Sequence, residues 1–313
     1  MGGFRGNGRP VLLVLRALKL GDLLVAVPAL HALRRAYPQH QLLYAAQNWL
    51  GDAVALVGGF ELLATHGLDE PLALRPGTVD IAVNLHGRGP ESQLRIEELL
   101  PNTTISHGSE RTVGPPWRDG IHERERWTRL LKWHGIDADP QDLFIANPDV
   151  PAQPPGATIV HVGAAYGSRL WPAGRFADVS RRLQTAGHTV VFTGGAAERD
   201  RALDVAGRAG IASPAVLAGT QSLREFAALV ASARLVVSAD TGAAHLASAY
   251  GRPSVVLFGP ATPEEWGPPP GPHIALTKAE LRRGDIFASD PDPALLGVSA
   301  QEVLDAVRDL RLL

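Results

Sequence analysis

The chain has 313 residues, of which 45% are hydrophobic and 20% charged, with a formal net charge of −2 and no cysteine. At about 100–200 residues per domain this length suffices for two separate cores, and the hydrophobic content excludes global disorder. A near-neutral charge lacks the basic surface that nucleic acids and anionic membranes require. The absence of cysteine from the chain excludes disulfides, thiol catalysis, iron–sulfur clusters and thiolate zinc.

The first apolar segment, VLLVLRALKLGDLLVAVPAL, has the length of a signal peptide or a membrane span. It is interrupted by Arg16, Lys19 and Asp22, which neither kind of segment tolerates well. We therefore interpret residues 1–9 as a loose tail and expect a cytoplasmic protein without integral membrane contact.

Short apolar runs and amphipathic stretches alternate along the chain. In the first half we predict strands at 11–16, 42–46 and 79–85, and a helix with apolar residues at a period near 3.6 after the first strand. Residues 147–157, NPDVPAQPPGA, contain four prolines and predict a stiff, extended connector. In the second half the predicted strands are 158–163, 188–195, 212–219, 234–240 and 253–259, and the predicted helices are 172–186, 197–209, two that begin at Ser222 and Thr241, and 299–312.

Continuously apolar strands that alternate with helices are typical of a parallel sheet covered on both faces. Two such series predict an α/β fold with two Rossmann-like doubly wound domains, residues 1–152 and 153–313, and a cleft between them. The last helix could pack back on the first domain. Because ligands bind at the carboxyl ends of parallel strands, the residues that follow each strand are the candidates for function.

The first such cluster is LKLGDLL (18–24), where Lys19, Gly21 and Asp22 follow a strand and open a helix. Aspartate is a favoured capping residue, and from position alone capping is the preferred interpretation. A helix N-terminus also favours an ionised carboxylate, which suits a general base.

The second cluster, HVGAAYGSRLWP (161–172), is a loop that contains Gly163 and enters a helix at Pro172. It resembles a phosphate-binding loop but matches neither G-x-x-x-x-G-K-[ST] nor G-x-G-x-x-G. Arg169 could donate to a diphosphate as a bidentate partner, or could be a solvated loop arginine. The residues leave both interpretations open.

The third cluster is SADTGAAH (238–245). Asp240 and Thr241 precede a helix whose first residues, Gly242 and Ala243 among them, are small and would expose backbone N–H groups to a phosphate. His245 lies in the second turn, where it could face the same ligand. An aspartic protease also contains D-T-G, but it needs two such carboxylates side by side in a β frame, so this class is rejected.

In the fourth cluster, TGGAAERD (193–200), Glu198 follows Gly194 and Gly195 at the start of a helix. A carboxylate at this place can accept both hydroxyls of a ribose, although from position alone a glutamate that simply favours the helix dipole is the preferred interpretation. In the first half, NLHGRGPES (84–92) places His86 and Arg88 after a strand, where they could contact a polar acceptor or line the surface.

Other sites have little support. No two of the eleven histidines have the i, i+4 spacing of a helical zinc pair, and the chain lacks G-x-S-x-G. The D-x-D tripeptides at 137–139 and 290–292 lie beside prolines, so solvated turns explain them better than a metal site.

Five segments in order resemble glycosyltransferase family 9, the ADP-heptose heptosyltransferases: VLLVLRALKLGDLLVAVPALHALRRAYP (11–38), NLHGRGP, RLWPAGRFADVSRRL, FTGGAAERD and VVSADTGAAHLASAYGRPSVVLFGPATPEEWGPP. The resemblance implies the GT-B architecture and an inverting glycosyl transfer with no metal or other cofactor, the ADP-sugar being a co-substrate. We further expect a monomer or weak dimer, with a nucleotide-sugar donor and a small polar acceptor as its partners.

The resemblance also implies roles for individual residues. Asp22 would be the base that deprotonates the acceptor hydroxyl, and Lys19, His86 and Arg88 are the candidates for acceptor contact. The residues that would hold the donor are Arg169 on the diphosphate, Glu198 on the ribose, Asp240, Thr241, Gly242, Ala243 and His245 on diphosphate and sugar, Gly163 in the phosphate-type loop, and Leu217 near the base.

The predicted acceptor departs from lipopolysaccharide, which is phosphorylated and membrane-bound. We find no cluster of Lys or Arg over residues 1–152, and the helix predicted over 121–135 has mixed charge. Lysine occurs three times among 30 basic residues, which is typical of a GC-rich genome and fits Gram-positive bacteria without lipopolysaccharide. We therefore expect a soluble acceptor of the aminoglycoside or nucleoside type. The alternatives are a lipopolysaccharide core heptosyltransferase, a transferase that uses a GDP- or UDP-hexose, a dehydrogenase, or a non-catalytic nucleotide-binding module.

Overall fold

The computed structural model of the chain describes residues 8–313, so that residues 1–7 of the predicted tail lie outside the described part. The chain divides into two compact units, Met1–Ala146 and Asn147–Leu313. The division falls at the start of the proline-rich connector, before the boundary predicted at residue 152.

The first unit is built on a parallel five-stranded sheet. Its strands are β1 (Val11–Leu15), β2 (Gln41–Ala46), β3 (Glu61–Ala64), β4 (Val79–Asn84) and β5 (Thr103–Ile105). Its helices are α1 (Leu20–Ala36), α2 (Gly51–Val57), α3 (Pro90–Glu97) and α4 (Glu123–Trp133). The strands lie in the order β3-β2-β1-β4-β5.

The central strand β1 shows why this sequence forms a buried sheet. All five of its residues are buried, and Leu13 and Leu15 lie in one apolar core with Leu43 of β2 and Ala82 of β4. Helix α1 is buried along most of its length and packs against α4. Edge strands β3 and β5, which the sequence analysis did not predict, are short and partly exposed.

The second unit repeats the plan. Its strands are β6 (Thr158–His161), β7 (Val190–Thr193), β8 (Leu235–Ala239), β9 (Ser254–Leu257) and β10 (His273–Leu276). Its helices are α5 (Ala173–Thr185), α6 (Arg199–Ala209), α7 (Leu223–Ala231), α8 (Gly242–Ala249), α9 (Pro263–Trp266), α10 (Pro293–Leu296) and α11 (Ala300–Asp309). All strand pairs are parallel, in the order β10-β9-β8-β6-β7.

The strand predicted over 212–219 is reduced to a single parallel bridge between Val216 and Phe192 of β7. Pro214 lies in a short 3-10 turn directly before it, and proline cannot donate to a sheet ladder. With this bridge counted as a strand remnant, the second sheet has the doubly wound order 3-2-1-4-5-6. The predicted α/β fold with two Rossmann-like parallel sheets is confirmed.

Helix α11 lies in the second unit. The apolar face of this helix, including Val303 and Val307, lies in the core of that unit, and α11 packs against α5, β9 and β10. Within residues 8–313, no helix is long and apolar enough to cross a bilayer.

Each sheet has one topological switch point, where the chain leaves neighbouring strands toward opposite faces. In the first unit it lies between β1 and β4, and in the second between β6 and β8. Loops at the carboxyl ends of such strand pairs form ligand sites in doubly wound sheets. The loops that follow these four strands contain most of the predicted site residues.

Candidate functional site

Asp22 lies in the first turn of α1, three residues after the N-cap residue Lys19. Its Oδ2 accepts a hydrogen bond of 3.1 Å from the backbone N–H of Lys19, so Asp22 does cap the helix. Its Oδ1 lies 3.4 Å from a guanidinium nitrogen of Arg16, and the side chain is 24% exposed. Capping uses one carboxylate oxygen, which leaves the group accessible to a hydroxyl.

Arg16 ties the two loops at the switch point of the first sheet together. Its Nε donates to the backbone oxygen of Asp22 at 2.6 Å, and another of its nitrogens donates to the carbonyl of Leu85 after β4. Its side chain is 1% exposed. Since a buried guanidinium needs compensating charge, Arg16 requires more than the partly exposed Asp22.

That compensation comes from Glu123 at the start of α4. A carboxylate oxygen of Glu123 lies 3.6 Å from Arg16, and the same carboxylate accepts from Arg126 at 2.6 Å and from the indole N–H of Trp127 at 3.1 Å. The Arg16 guanidinium also lies over the Trp127 ring, 4.7 Å from its centroid. The charged residues of α4 are therefore partly an internal support for the loop that carries Asp22.

His86 lies directly beyond β4 and contacts the same loop. The backbone N–H of Ala17 donates to His86 Nδ1 at 3.2 Å, and the His86 N–H donates to Asn84 Oδ1 at 3.0 Å. Burial and the charge of Arg16 lower the pKa of His86 to about 4, against a raising effect of Asp22 and Glu91. Within the first unit the structure thus brings together Asp22 and His86, as the sequence suggested, and adds Arg16.

The other two acceptor candidates are peripheral. Lys19 is exposed at the N-cap of α1. The Arg88 side chain is 63% exposed, lies 3.8 Å from Asp119, and sits over the ring of Trp117.

A groove of about 520 Å³ lies beside α3. It is lined by Pro90, Glu91, Gln93, Leu94, Glu97, Ser109, Glu110 and Arg111.

In the second unit, Asp240 gathers two basic side chains at the carboxyl end of β8. Its Oδ1 lies 3.4 Å from His245 Nε2, and its Oδ2 lies 3.6 Å from a guanidinium nitrogen of Arg169. Burial of the carboxyl raises the pKa of Asp240, but the hydrogen bond from His245 and the charge of Arg169 outweigh it and the pKa is lowered. A buried carboxylate would repel a diphosphate, whereas its contacts with Arg169 and His245 can orient both of these side chains.

Two polar atoms of this cluster are buried without a hydrogen-bond partner among residues 8–313: Arg169 Nε and Asp240 Oδ2. Buried donors normally have a hydrogen-bond acceptor, so the unpaired guanidinium N–H indicates a place where a ligand supplies the acceptor. An anion is the natural acceptor for it.

The N-terminus of α8 adds backbone donors. Thr241 is the N-cap residue, and its hydroxyl is engaged with Ser238 at 2.8 Å rather than with the helix. The N–H groups of Ala244 and His245 bond the Thr241 carbonyl, whereas those of Gly242 and Ala243 have no backbone acceptor among the described residues. Free N–H groups at a helix start, beside a guanidinium, are suited to phosphate.

Glu198 and Gly163 are in direct contact. The Gly195 N–H donates to Glu198 Oε2 at 2.5 Å. A Cβ added to Gly163 would lie 2.0 Å from Oε2 and 2.3 Å from Oε1 of Glu198, so only glycine leaves room for the carboxylate here. Glu198 Oε1 stays available to a ribose hydroxyl. Leu217 is half-buried beside this loop, with its N–H on the Phe192 carbonyl at 2.8 Å.

Sequence analysis missed the residues that support these sites from a distance. Arg201 donates to the carbonyls of Val162 and Trp171 and thereby pins both ends of the Arg169 loop. The sequence analysis noted Arg16 only as an interruption of an apolar run. A charged residue directly after an otherwise buried strand could have indicated its supporting role. Glu123 gave no signal, because only folding brings it to Arg16.

Within residues 8–313, no three histidine, aspartate or glutamate side chains are grouped as metal ligands.

Residues 135–280 match the sequence model of Glycosyltransferase family 9 (heptosyltransferase). The predicted resemblance to this family is confirmed. The family-9 segment contains Arg169, Glu198, Asp240 and His245, but not Asp22 or His86.

Two curated relatives show the same relationship. Lipopolysaccharide heptosyltransferase 2 of Escherichia coli (strain K12) is 28% identical over 159 residues, covering 48% of this chain and 45% of the relative. Lipopolysaccharide heptosyltransferase 1 of Pseudomonas aeruginosa is 36% identical over 159 residues, covering 50% of this chain and 40% of the relative. The matched segments span less than half the length of these relatives.

Solved structures of similar fold cover almost the whole chain. The glycosyl transferase family 9 structure from Veillonella parvula DSM 2008 has a TM-score of 0.75 at 20% identity and covers 99% of both chains. E. coli ADP-heptose lps heptosyltransferase II has a TM-score of 0.70 at 20% identity, over 96% of this chain and 98% of the other. These similarities show that both units share the fold of family-9 glycosyltransferases.

Proposed function

We propose that this protein is an inverting glycosyltransferase that moves heptose from ADP-heptose to a hydroxyl of a small, soluble acceptor. The observation that carries the proposal is the cluster at the carboxyl ends of β6, β7 and β8. There an unpaired guanidinium N–H, two free helix N–H groups and a carboxylate with a free oxygen lie within the segment that matches family 9.

The second unit would hold the donor. Arg169 and the N–H groups of Gly242 and Ala243 would bind the diphosphate, and Glu198 would accept the ribose hydroxyls. Donors that are already oriented would stabilise the negative charge that develops on the departing ADP, since Asp240 holds the Arg169 guanidinium. In this scheme neither a metal ion nor any other cofactor takes part.

The first unit would hold the acceptor and the base. Asp22 would take the proton of the acceptor hydroxyl, whose oxygen would then attack the anomeric carbon from the side opposite the diphosphate. One displacement of this kind inverts the configuration at that carbon. Lys19, His86 and Arg88 would be the residues that contact the acceptor.

The acceptor class rests on the charge of the first unit. Residues 1–146 contain 15 Lys or Arg and 16 Asp or Glu. Arg124 and Arg126 of α4, the helix of mixed charge noted in the sequence, are buried. The groove beside α3 is lined by Glu91, Glu97 and Glu110, and its one arginine, Arg111, lies 3.1 Å from Glu97. This surface suits a neutral or amino-bearing acceptor better than a phosphorylated one.

The names of the relatives favour a second candidate, a heptosyltransferase of the lipopolysaccharide core. The test is incubation with ADP-heptose and two sets of acceptors, soluble amino sugars and nucleosides on one side and lipid-linked core oligosaccharide on the other. Transfer to soluble acceptors would support the proposal, and transfer to the lipid-linked acceptor alone would replace it with the second candidate.

Nucleotide preference is tested separately by thermal unfolding with ADP, GDP and UDP. A ligand at ~100 times its Kd adds about 2.7 kcal/mol of stability, so ADP should raise the Tm most. A larger rise with GDP or UDP would change the proposed donor. Nucleotide binding without transfer to any acceptor would indicate a non-catalytic module.

A further inference from the structure

His86 is held in one tautomer. Its Nδ1 accepts a hydrogen bond of 3.2 Å from the backbone N–H of Ala17. A backbone amide nitrogen can only donate, so Nδ1 must present its lone pair. In the neutral ring the proton therefore sits on Nε2, which makes that atom a hydrogen-bond donor.

The backbone on both sides of His86 is fixed as well. Its own N–H donates to Asn84 Oδ1 at 3.0 Å, and Asn84 Nδ2 donates in turn to Ser92 Oγ at 3.0 Å. The preceding carbonyl, that of Leu85, accepts from the buried Arg16. The position of the imidazole is thus set by β4, α3 and the loop after β1.

The ring stays neutral under physiological conditions. The charged groups that act on it are Arg16 at the end of β1, Asp22 on α1 and Glu91 on α3. Burial and Arg16 together bring the pKa of His86 to about 4, so the imidazole is unprotonated above pH 5. A neutral imidazole with Nδ1 engaged can donate from Nε2 but has no free lone pair with which to act as a base.

Asp22 and His86 share the same support. Arg16 contacts the carboxylate of Asp22 and the carbonyl that precedes His86. In the loop after β1, the backbone N–H of Ala17 donates to His86 and that of Lys19 donates to Asp22. His86 is half-buried, and no hydrogen bond to its Nε2 is formed by the described residues. A proton acceptor on α1 and a neutral N–H donor after β4 are therefore both held by the loop that follows β1.

We propose that His86 is a catalytic residue beside Asp22, whose Nε2–H donates to the oxygen of the acceptor hydroxyl as that hydroxyl loses its proton. The proposal rests on the transferase function proposed above. The proton moves to the Asp22 carboxylate, the oxygen forms its bond to the anomeric carbon, and the bond to the diphosphate breaks with its electron pair leaving on ADP. The Nε2–H proton stays on His86 throughout and stabilises the negative charge that develops on the oxygen.

Two substitutions separate the two ring nitrogens. His86→Gln places an amide N–H near the position of Nε2, whereas His86→Asn places an amide near Nδ1, where its oxygen can still accept from Ala17. We expect His86→Gln to keep kcat within about 10-fold of wild type. His86→Asn should lower kcat by about 10²–10³, as loss of one oxyanion donor does elsewhere. His86→Met, which has no donor, is the second variant should His86→Asn fail to fold.

The readouts are kcat with the accepted substrate, its pH profile and the Kd of ADP. The Kd of ADP should be the same in all variants, and the wild-type profile should show no inflection from His86 between pH 5 and 8. Equal kcat in wild type and in a folded donor-free variant would overturn the proposal. An inflection near pH 6.5 that both His86→Gln and His86→Asn abolish would also overturn it, since the ring would then act as a base. Absence of transfer by the wild-type enzyme would instead refute the proposed function.

Discussion

Replacing Gly163 by alanine tests whether Glu198 is positioned for the donor. The added Cβ would lie 2.0 Å, 2.1 Å and 2.3 Å from three atoms of the Glu198 carboxyl group. Ordinary contact between such atoms is about 3.5 Å, so the carboxylate must move by roughly 1.5 Å. The ribose hydroxyls would lose their acceptor although Glu198 itself is unchanged.

The expected loss follows from one charge-assisted hydrogen bond. Such a bond contributes roughly 1.5–3 kcal/mol, and about 1.4 kcal/mol corresponds to a tenfold change in affinity. We therefore expect Gly163→Ala to weaken ADP binding by about 10- to 100-fold in isothermal titration calorimetry. Glu198→Ala should weaken it by a similar factor.

The control and the double variant make this test specific. Gly174 in α5 has no atom within 4 Å of an added Cβ, so Gly174→Ala should leave ADP binding unchanged. Since Gly163→Ala acts through Glu198, adding it to Glu198→Ala should cost little more. Wild-type affinity in Gly163→Ala, or a further tenfold loss in the double variant, would refute the reasoning.

Three further predictions concern charge. Arg169→Met should weaken ADP binding by about 10- to 100-fold in calorimetry, while Arg169→Lys, which keeps the charge, should stay within about tenfold of wild type; equal losses would contradict an anion contact. Glu123→Ala should lower the free energy of unfolding in urea by about 3–5 kcal/mol, because it leaves Arg16 buried without its second carboxylate. Glu125 is exposed on the same turn, so Glu125→Ala should change the free energy of unfolding by less than about 0.5 kcal/mol. Desolvation lowers the pKa of His161 to about 4, so between pH 6.5 and 4 the unfolded state binds more protons and the free energy of unfolding decreases as the pH is lowered. His161→Gln should therefore lose less stability than wild type between pH 7 and 4.5 in urea titrations, and an equal loss would contradict a neutral His161 in the folded state.

The places in the fold of the predicted donor-binding residues could be predicted because they depend on local sequence. A strand, a turn and a helix N-terminus are encoded within about ten residues, and Arg169, Glu198 and Asp240 each lie at such a junction. Parallel sheets bring these junctions to one edge, so the predicted order of elements was enough to group them.

What could not be predicted depends on contacts between distant residues. Glu123 compensates Arg16 across more than a hundred residues, and no local pattern of α4 distinguishes it from the exposed Glu125. The sequence therefore showed a helix of mixed charge but did not show that several of its charged side chains are buried. Likewise, the sequence placed His86 after a strand but could not give its tautomer, which is set by the backbone of Ala17.

Transfer by Asp22→Asn tests the central claim most directly. The asparagine oxygen can still accept from the Lys19 N–H and preserve the helix cap, but the side chain can no longer take a proton. With ADP-heptose and an accepted substrate, we expect turnover to fall by roughly 10²–10⁴ while the Kd of ADP, measured on the same preparation, is unchanged. Full turnover by Asp22→Asn would show that Asp22 is a capping residue and that the base lies elsewhere.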